Sequence, residues 1–145
     1  MIRIVLDTNV FVSALLIPDS PPARILEFAL KGNLRLVMSP GIIKEIGSVF
    51  NYPRLKKSMK QHHLTDGEVT DAILQLIKIA TITPGTEIAS GACRDPADDM
   101  VLSCAVEGQA DFVISGDQDL IKLESYEGIK IVTPAIFLQI IAKGL

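Results

Sequence analysis

Short apolar runs alternate along the chain with longer segments of helical periodicity. The runs "IRIVL", "LRLVM", "DFVIS" and "IKIV" are rich in β-branched residues and contain few polar positions. Such runs are typical of strands that are buried on both faces of a parallel sheet. We therefore predict strands at residues 2–6, 34–38, 111–115 and 129–132, with a short additional strand at 81–84.

The segments between these runs carry helix start signals. A capping box formed by Thr65 and Glu68 precedes apolar residues at helical spacing, and Ser39 and Thr133 each stand directly before a proline. A helix can also follow the first strand, whereas residues 84–94 are expected to form a loop. We predict helices within 20–33, 39–51, 65–80, 94–110 and 133–145, a short one within 116–123, and a polar connector or short helix at 52–63.

The alternation of strands and helices predicts the fold class. It is typical of a three-layer α/β/α domain with a central parallel sheet, here of about four to five strands. With 145 residues and no linker-like segment, the chain is expected to form a single domain over residues 1–145. In such sheets ligands bind beyond the carboxyl ends of the strands, so polar residues at those ends are the candidates for function.

Composition narrows the classes of function. The chain is 48% hydrophobic and 21% charged, with a mean hydropathy of +0.37, which predicts a folded protein. No uncharged apolar run approaches membrane-spanning length, and Asp7 and Asn9 interrupt the only segment resembling a signal peptide. Cys93 and Cys104 have neither metal-knuckle nor redox-motif spacing, so we expect a protein of the reducing cytoplasm. The net charge of −3 argues against a uniformly basic nucleic-acid binder.

Carboxylates fall at several of the predicted strand ends. Each has an ordinary structural explanation as a turn, cap or surface residue, and Asp95 is interpreted mainly as a helix cap. Together they predict a metal site, because acids brought close together repel one another unless a cation intervenes, and oxygen ligands suit Mg²⁺ or Mn²⁺. No serine-hydrolase elbow, P-loop or dinucleotide motif competes with this interpretation. The candidate acids are Asp7, Glu45, Asp98, Asp99, Asp117 and Asp119.

The chain resembles PIN-domain proteins, particularly the VapC-type toxins of toxin–antitoxin pairs. The matching segments are "VLDTNVFVSAL", "SPGIIKEI", "CRDPADDMVLSCAVEGQADFVISGDQDL" and "IVTPAIFL". The resemblance implies catalytic and metal-binding roles for Asp7, Glu45, Asp99 and Asp117. Asp99 is preferred to Asp98 because it begins the run "DMVLSCA", while Asp119 competes with Asp117 for the fourth role. Asn9 and Ser115 match the family's supporting polar residues.

The resemblance also implies an activity and partners. It implies an Mg²⁺- or Mn²⁺-dependent endoribonuclease that acts on RNA such as tRNA or rRNA, forms a homodimer and is neutralised by a cognate antitoxin. A basic segment could contact the RNA backbone or form a solvated or antitoxin-facing surface, and its candidate residues are Arg54, Lys56, Lys57 and Lys60.

Two other classes of function were weighed. A non-catalytic PIN-fold module that binds RNA or a protein partner is the main alternative, although all the expected acids are present. A phosphatase with Asp7 as nucleophile is disfavoured, because the haloacid-dehalogenase pattern needs an acid where this chain has Asn9.

Overall fold

The polypeptide forms alternating strands and helices around one sheet. The computed structural model describes residues 1–144; Leu145, which ends the predicted segment 133–145, lies outside the described residues. The strands are β1 (Arg3–Leu6), β2 (Arg35–Met38), β3 (Thr81–Ile82), β4 (Phe112–Ile114), β5 (Ser125–Tyr126) and β6 (Ile129–Val132). The helices are α1 (Thr8–Leu16), α2 (Pro21–Leu30), α3 (Pro40–Val49), α4 (Pro53–Gln61), α5 (Asp66–Ile79), α6 (Pro96–Glu107), α7 (Gln118–Ile121) and α8 (Pro134–Ala142).

The sheet is parallel apart from one short edge strand. Its order is β3-β2-β1-β4-β6-β5, and only β5 runs antiparallel to its neighbour. The strand order reverses between β1 and β4, which are hydrogen-bonded neighbours with Leu6 opposite Ile114. A crevice forms where the order reverses in such sheets, so this register places the residues after β1 and β4 side by side in it.

Both faces of the sheet are covered. Successive residues of a strand point to opposite faces of the sheet, so consecutive buried residues show that both faces are covered. Ile4, Val5 and Leu6 are each fully buried, and all three residues of β4 are buried as well. On one side the Phe112 ring packs edge-on against Phe137 of α8, with ring centroids 5.1 Å apart. The three-layer α/β/α prediction is confirmed.

The structure adds one strand to the four or five expected. The sixth, β5, has only two residues, which is too short to produce a recognisable apolar pattern. The segment 52–63 contains helix α4, one of the two alternatives predicted for it. The capping box at the start of α5 is present, with Thr65 accepting from the Glu68 N–H at 3.1 Å. Within residues 1–144, no helix is long and apolar enough to span a bilayer.

Gly108, at the end of α6, lies so close to β2 that a side chain at this position should destabilise the protein. A Cβ at this position would overlap Cγ1 of Val37 and would lie 3.2 Å from Cγ2 of Thr83. Both neighbours are buried β-branched side chains with little freedom to move. We expect Gly108→Ala to lower the free energy of unfolding by about 1–3 kcal/mol, measured by urea denaturation. Gly47→Ala, at a position with open space around it, is the matched control and is expected to be neutral or stabilising.

Candidate metal centre

Three carboxylates meet where the strand order reverses. Asp7 follows β1, Asp98 lies in the first turn of α6, and Asp117 follows β4. Each offers one oxygen, and these oxygens all lie within 4.8 Å of one another. We call these residues the acid triad. The sequence predicts Asp7 and Asp117 at this position, together with Asp99 in preference to Asp98.

Ser115 connects two members of the acid triad. It is fully buried at the end of β4, and its Oγ donates a hydrogen bond to Oδ2 of Asp7 at 2.7 Å. The same Oγ accepts a hydrogen bond from the backbone N–H of Asp117 at 2.9 Å. Ser115 therefore fixes the orientation of Asp7 relative to the chain segment that carries Asp117, and its supporting role at a metal centre stays a prediction.

Within residues 1–144, no basic side chain forms an ion pair with the acid triad. Burial raises the pKa of Asp98 to about 7, and the nearby carboxylates of Asp117 and Asp7 add to the shift. Burial also raises the pKa of Asp7, against the opposing effect of its hydrogen bond from Ser115. Oδ2 of Asp98 is buried and has no hydrogen-bond partner within residues 1–144. An unpaired buried oxygen on a carboxylate that lies beside two other acids is costly unless a cation binds, so the donor set fits Mg²⁺ or Mn²⁺.

Glu45 lies beside the acid triad rather than within it. It is half-buried on α3, the helix that follows β2. Burial raises the pKa of its carboxyl, the Thr8 side chain opposes this shift, and the Asp7 carboxylate adds to it. Because α3 follows the carboxyl end of β2, Glu45 lies at the same end of the sheet as Asp7, and its part in metal binding stays a prediction.

Asp99 does not join Asp7 and Asp117, contrary to the arrangement expected from the sequence. Its Oδ2 accepts a hydrogen bond from the N–H of Gly91 at 2.9 Å, and its Oδ1 accepts one from Cys93 at 2.6 Å. Successive residues of an α-helix point about 100° apart, so only one of two adjacent acids can face the acid triad. Asp98 takes that direction and Asp99 faces the loop instead.

Asp99 belongs to a polar face of α6 that holds the 84–94 loop. Ser103 and Glu107 follow at four-residue intervals, and each of the three side chains accepts hydrogen bonds from two backbone N–H groups of the loop. The donors are Ile88 and Ala89 for Ser103, and Gly85 and Thr86 for Glu107, at 2.8–3.1 Å. The four-residue spacing of this polar face is visible in the sequence. Asp98 instead shares a helix face with the apolar residues Val101, Leu102 and Ala105. Together these two patterns are the sequence signal that could have distinguished Asp98 from Asp99.

Asp119 is also directed away from the acid triad. Nη2 of Arg94 lies 2.9 and 3.1 Å from its two carboxylate oxygens, and Nζ of Lys122 lies 3.4 Å from one of them. The hydrogen bond from Arg94 is the largest cause of a lowered Asp119 pKa. Of the two acids that competed for the fourth role, the structure places Asp117 in the acid triad and pairs Asp119 with a base.

The remaining candidates lie on helix surfaces. Asn9 is exposed in the first turn of α1, and its role as a supporting polar residue stays a prediction. On α4, Leu55 and Met59 face the core. The basic residues of α4 are the exposed Arg54, Lys57 and Lys60 and the half-buried Lys56, which pairs with Asp66 at 2.6 Å.

Removing the Ser115 hydroxyl tests its contact with Asp7. Ser115→Ala leaves Asp7 without its hydrogen-bond donor and the Asp117 N–H without its acceptor. We expect Mn²⁺ affinity to fall about 10–100-fold, the usual effect of losing a group that orients a metal ligand. Calorimetric titration measures this, and Ser125→Ala, on the exposed edge strand, is the control. Unchanged Mn²⁺ affinity in Ser115→Ala would contradict the role.

Comparison with known proteins places this geometry in context. A family model described as "PIN domain" matches residues 3–119, a range that contains the whole acid triad. An uncharacterized protein of Methanocaldococcus jannaschii is 31% identical, with 95% of this chain and 90% of that protein covered. In fold, the chain is similar to a chain of VapBC2 from Rickettsia felis, solved bound to a DNA fragment from its promoter. That likeness has a TM-score of 0.58 at 14% identity and covers 90% of this chain and 97% of the other.

Proposed function

The chain belongs to the PIN domain family, and from this premise we propose that it is a metal-dependent endoribonuclease and the toxin of a toxin–antitoxin pair. PIN domains are generally nucleases, and the acidic centre expected of one is present here. The observation that carries the proposal is the convergence of three carboxylates from separate elements, one with a buried oxygen that lacks a partner. A purely structural role for Asp98 leaves that oxygen unexplained.

Asp7, Asp98 and Asp117 would hold the ion, either Mg²⁺ or Mn²⁺. When bound, such an ion polarises a phosphodiester group and lowers the pKa of a coordinated water. We assign Asp98 here in place of Asp99, because Asp99 already accepts two backbone hydrogen bonds.

The chain's own side chains have defined tasks in this proposal. Ser115 holds Asp7 in place through its 2.7 Å hydrogen bond. Glu45, half-buried at the rim, accepts a proton from the attacking water on a carboxylate oxygen, and its raised pKa suits this step. The buried surroundings of Asp7 and Asp98 keep bulk water away and so strengthen the electrostatic interactions of the centre.

The proposed substrate is RNA, with tRNA and rRNA as the first candidates. The exposed basic residues of α4 (Arg54, Lys57 and Lys60) provide positive charge for contacts with the RNA backbone, although the net charge of the protein is −3. We further propose a cognate antitoxin, supported by the likeness in fold to a chain of the VapBC2 assembly. We also propose a homodimer, supported by the partly exposed apolar side chains of Leu30 and Ile136. A cytoplasmic location is proposed because both cysteines are free.

Cleavage of labelled tRNA and rRNA by the purified, antitoxin-free protein tests the proposal. Fragments are expected with Mg²⁺ or Mn²⁺, none with EDTA, and none from a folded Asp7→Asn variant. RNA binding without cleavage under either metal would overturn the nuclease proposal in favour of a non-catalytic binding module. Cleavage that persists in Asp7→Asn would instead overturn the assignment of the site.

A further inference from the structure

Arg94 is an exposed basic side chain that pairs with Asp119, two residues after Asp117 of the acid triad. It immediately precedes Asp95, the N-cap of α6, so it stands one helical turn before Asp98. Its backbone position is fixed from the preceding residue, because the Cys93 N–H donates to Asp99 at 2.6 Å. The polar face of α6 thus anchors the backbone of the loop that carries Arg94.

The Arg94 side chain is held at one end and open at the other. Only Nη2 contacts Asp119, at 2.9 and 3.1 Å from its two oxygens. The Arg94 side chain is nevertheless 83% exposed, whereas that of Asp119 is 27% exposed. A guanidinium group carries five N–H donors, so the remaining ones can bind an anion while Asp119 keeps the group oriented.

Asp119 is in turn fixed to the acid triad. Its backbone N–H donates to Oδ1 of Asp117 at 2.8 Å, so the Arg94–Asp119 pair is attached to the chain segment that supplies one of the proposed metal ligands. Arg94 also lines a cavity of about 510 Å³ between the 84–94 loop and α6, on the side of that helix that carries Asp99. Through Asp119, the pair is attached two residues from Asp117, next to the acid triad.

The negative charge of the acid triad favours a positively charged group beside the substrate. Three carboxylates exceed the charge of one divalent cation, and the substrate phosphate brings further negative charge. We propose that Arg94 binds a non-bridging oxygen of an RNA backbone phosphate beside the cleaved bond, and that Asp119 is a positioning residue for Arg94 rather than a metal ligand. This inference rests on the proposed function. The planar guanidinium matches two phosphate oxygens at once, which an ammonium group does not.

Steady-state cleavage of a short RNA at several salt concentrations tests the contact. Arg94→Gln is expected to lower kcat/KM about 10–100-fold, mainly through KM, since this is the usual contribution of a hydrogen bond to a charged group. The slope of log kcat/KM against log salt is expected to become shallower by about 0.7, the value for one lost contact to a single strand. Arg94→Lys should restore the slope but only part of the affinity, and Asp119→Asn should cause a smaller loss. Mn²⁺ affinity should stay unchanged in all three.

The controls use charges elsewhere on the surface. Arg24→Gln removes an exposed arginine of α2, and Lys31→Gln breaks an exposed ion pair with Glu27 at 2.8 Å. Both are expected to leave kcat/KM within twofold of the wild-type value. Equal losses in Arg94→Gln and Arg24→Gln, or an unchanged salt slope in Arg94→Gln, would overturn the proposed phosphate contact.

A binding measurement separates this inference from the proposed function. Anisotropy of a labelled single-stranded RNA is measured with Asp98→Asn, which is expected to be inactive, and with the same variant carrying Arg94→Gln. The second is expected to bind about tenfold more weakly. If the wild-type protein cleaves no RNA, the nuclease proposal fails, while loss of binding on Arg94→Gln still supports the arginine contact. Equal binding by the two variants overturns that contact whether or not the wild-type protein cleaves.

Discussion

Replacing Asp98 with Asn is expected to lower metal-dependent RNA cleavage at least about 100-fold while the protein stays folded. The substitution removes a negative charge from the acid triad, at the residue whose Oδ2 is buried and has no hydrogen-bond partner within residues 1–144. Preorganised charges in a buried site commonly contribute factors of about 10²–10³ to kcat. Cleavage of labelled RNA with Mn²⁺ measures the effect, and circular dichroism confirms folding.

Asp99→Asn is the matched control because it changes the adjacent residue in the same way. Asp99 accepts hydrogen bonds from the N–H groups of Gly91 and Cys93, so its substitution is expected to lower the free energy of unfolding by about 1–2 kcal/mol. Because Asp99 is outside the acid triad, Asp99→Asn is expected to lower cleavage much less than Asp98→Asn does, through the loop that carries Arg94. The opposite pattern, with Asp98→Asn active and a folded Asp99→Asn inactive, would contradict the site described here.

The second large effect is a fall in stability of the metal-free protein as pH rises from about 4 to about 7. Asp98 has a pKa of about 7 in the folded protein against 3.8 as its ordinary value, and the pKa of Asp7 is raised as well. Between these values the folded state binds more protons than the unfolded state, so the free energy of unfolding decreases with pH. The Asp98 shift corresponds to at most about 4 kcal/mol, since one pKa unit is worth about 1.4 kcal/mol.

Urea denaturation in EDTA at pH 5 and pH 8 measures this dependence. Asp98→Asn is expected to remove most of the difference and to be more stable than the wild-type protein at pH 8. Saturating Mn²⁺ at pH 8 should restore stability to the wild-type protein but much less to Asp98→Asn, because a cation stabilises only the state that binds it. An equal change in the free energy of unfolding between pH 5 and pH 8 in EDTA for the wild type and for Asp98→Asn would contradict the raised pKa of Asp98.

Much of this architecture could be predicted from local patterns. The continuous apolar runs identify β1, β2, β4 and β6 because both faces of each must be buried. The helix starts at Ser39, Thr65, Asp95 and Thr133 could be predicted because capping depends on a few consecutive residues, and all four side chains accept the expected backbone hydrogen bonds. The two-residue strand β5 could not, because its pairing with β6 depends on tertiary structure.

The site was harder to predict where two acids stand close together in sequence. Asp7 follows a buried strand, so its position at the sheet edge could be inferred. Asp98 and Asp99 differ only in their direction on α6. The resemblance favoured Asp99, whereas the structure brings Asp98 to Asp7 and directs Asp99 to the 84–94 loop. Asp119 differs from Asp117 through its ion pair with Arg94, which lies 25 residues away and has no local signal.

Calorimetric titration of the EDTA-stripped protein with Mn²⁺ tests whether the acid triad is the metal centre. The proteins compared are the wild type, Asp98→Asn and Asp99→Asn. We expect the wild type and Asp99→Asn to bind one Mn²⁺ with similar affinity, and Asp98→Asn to lose at least about tenfold. Wild-type affinity in Asp98→Asn, or selective loss of binding in a folded Asp99→Asn, would contradict the acid triad of Asp7, Asp98 and Asp117 as the metal centre.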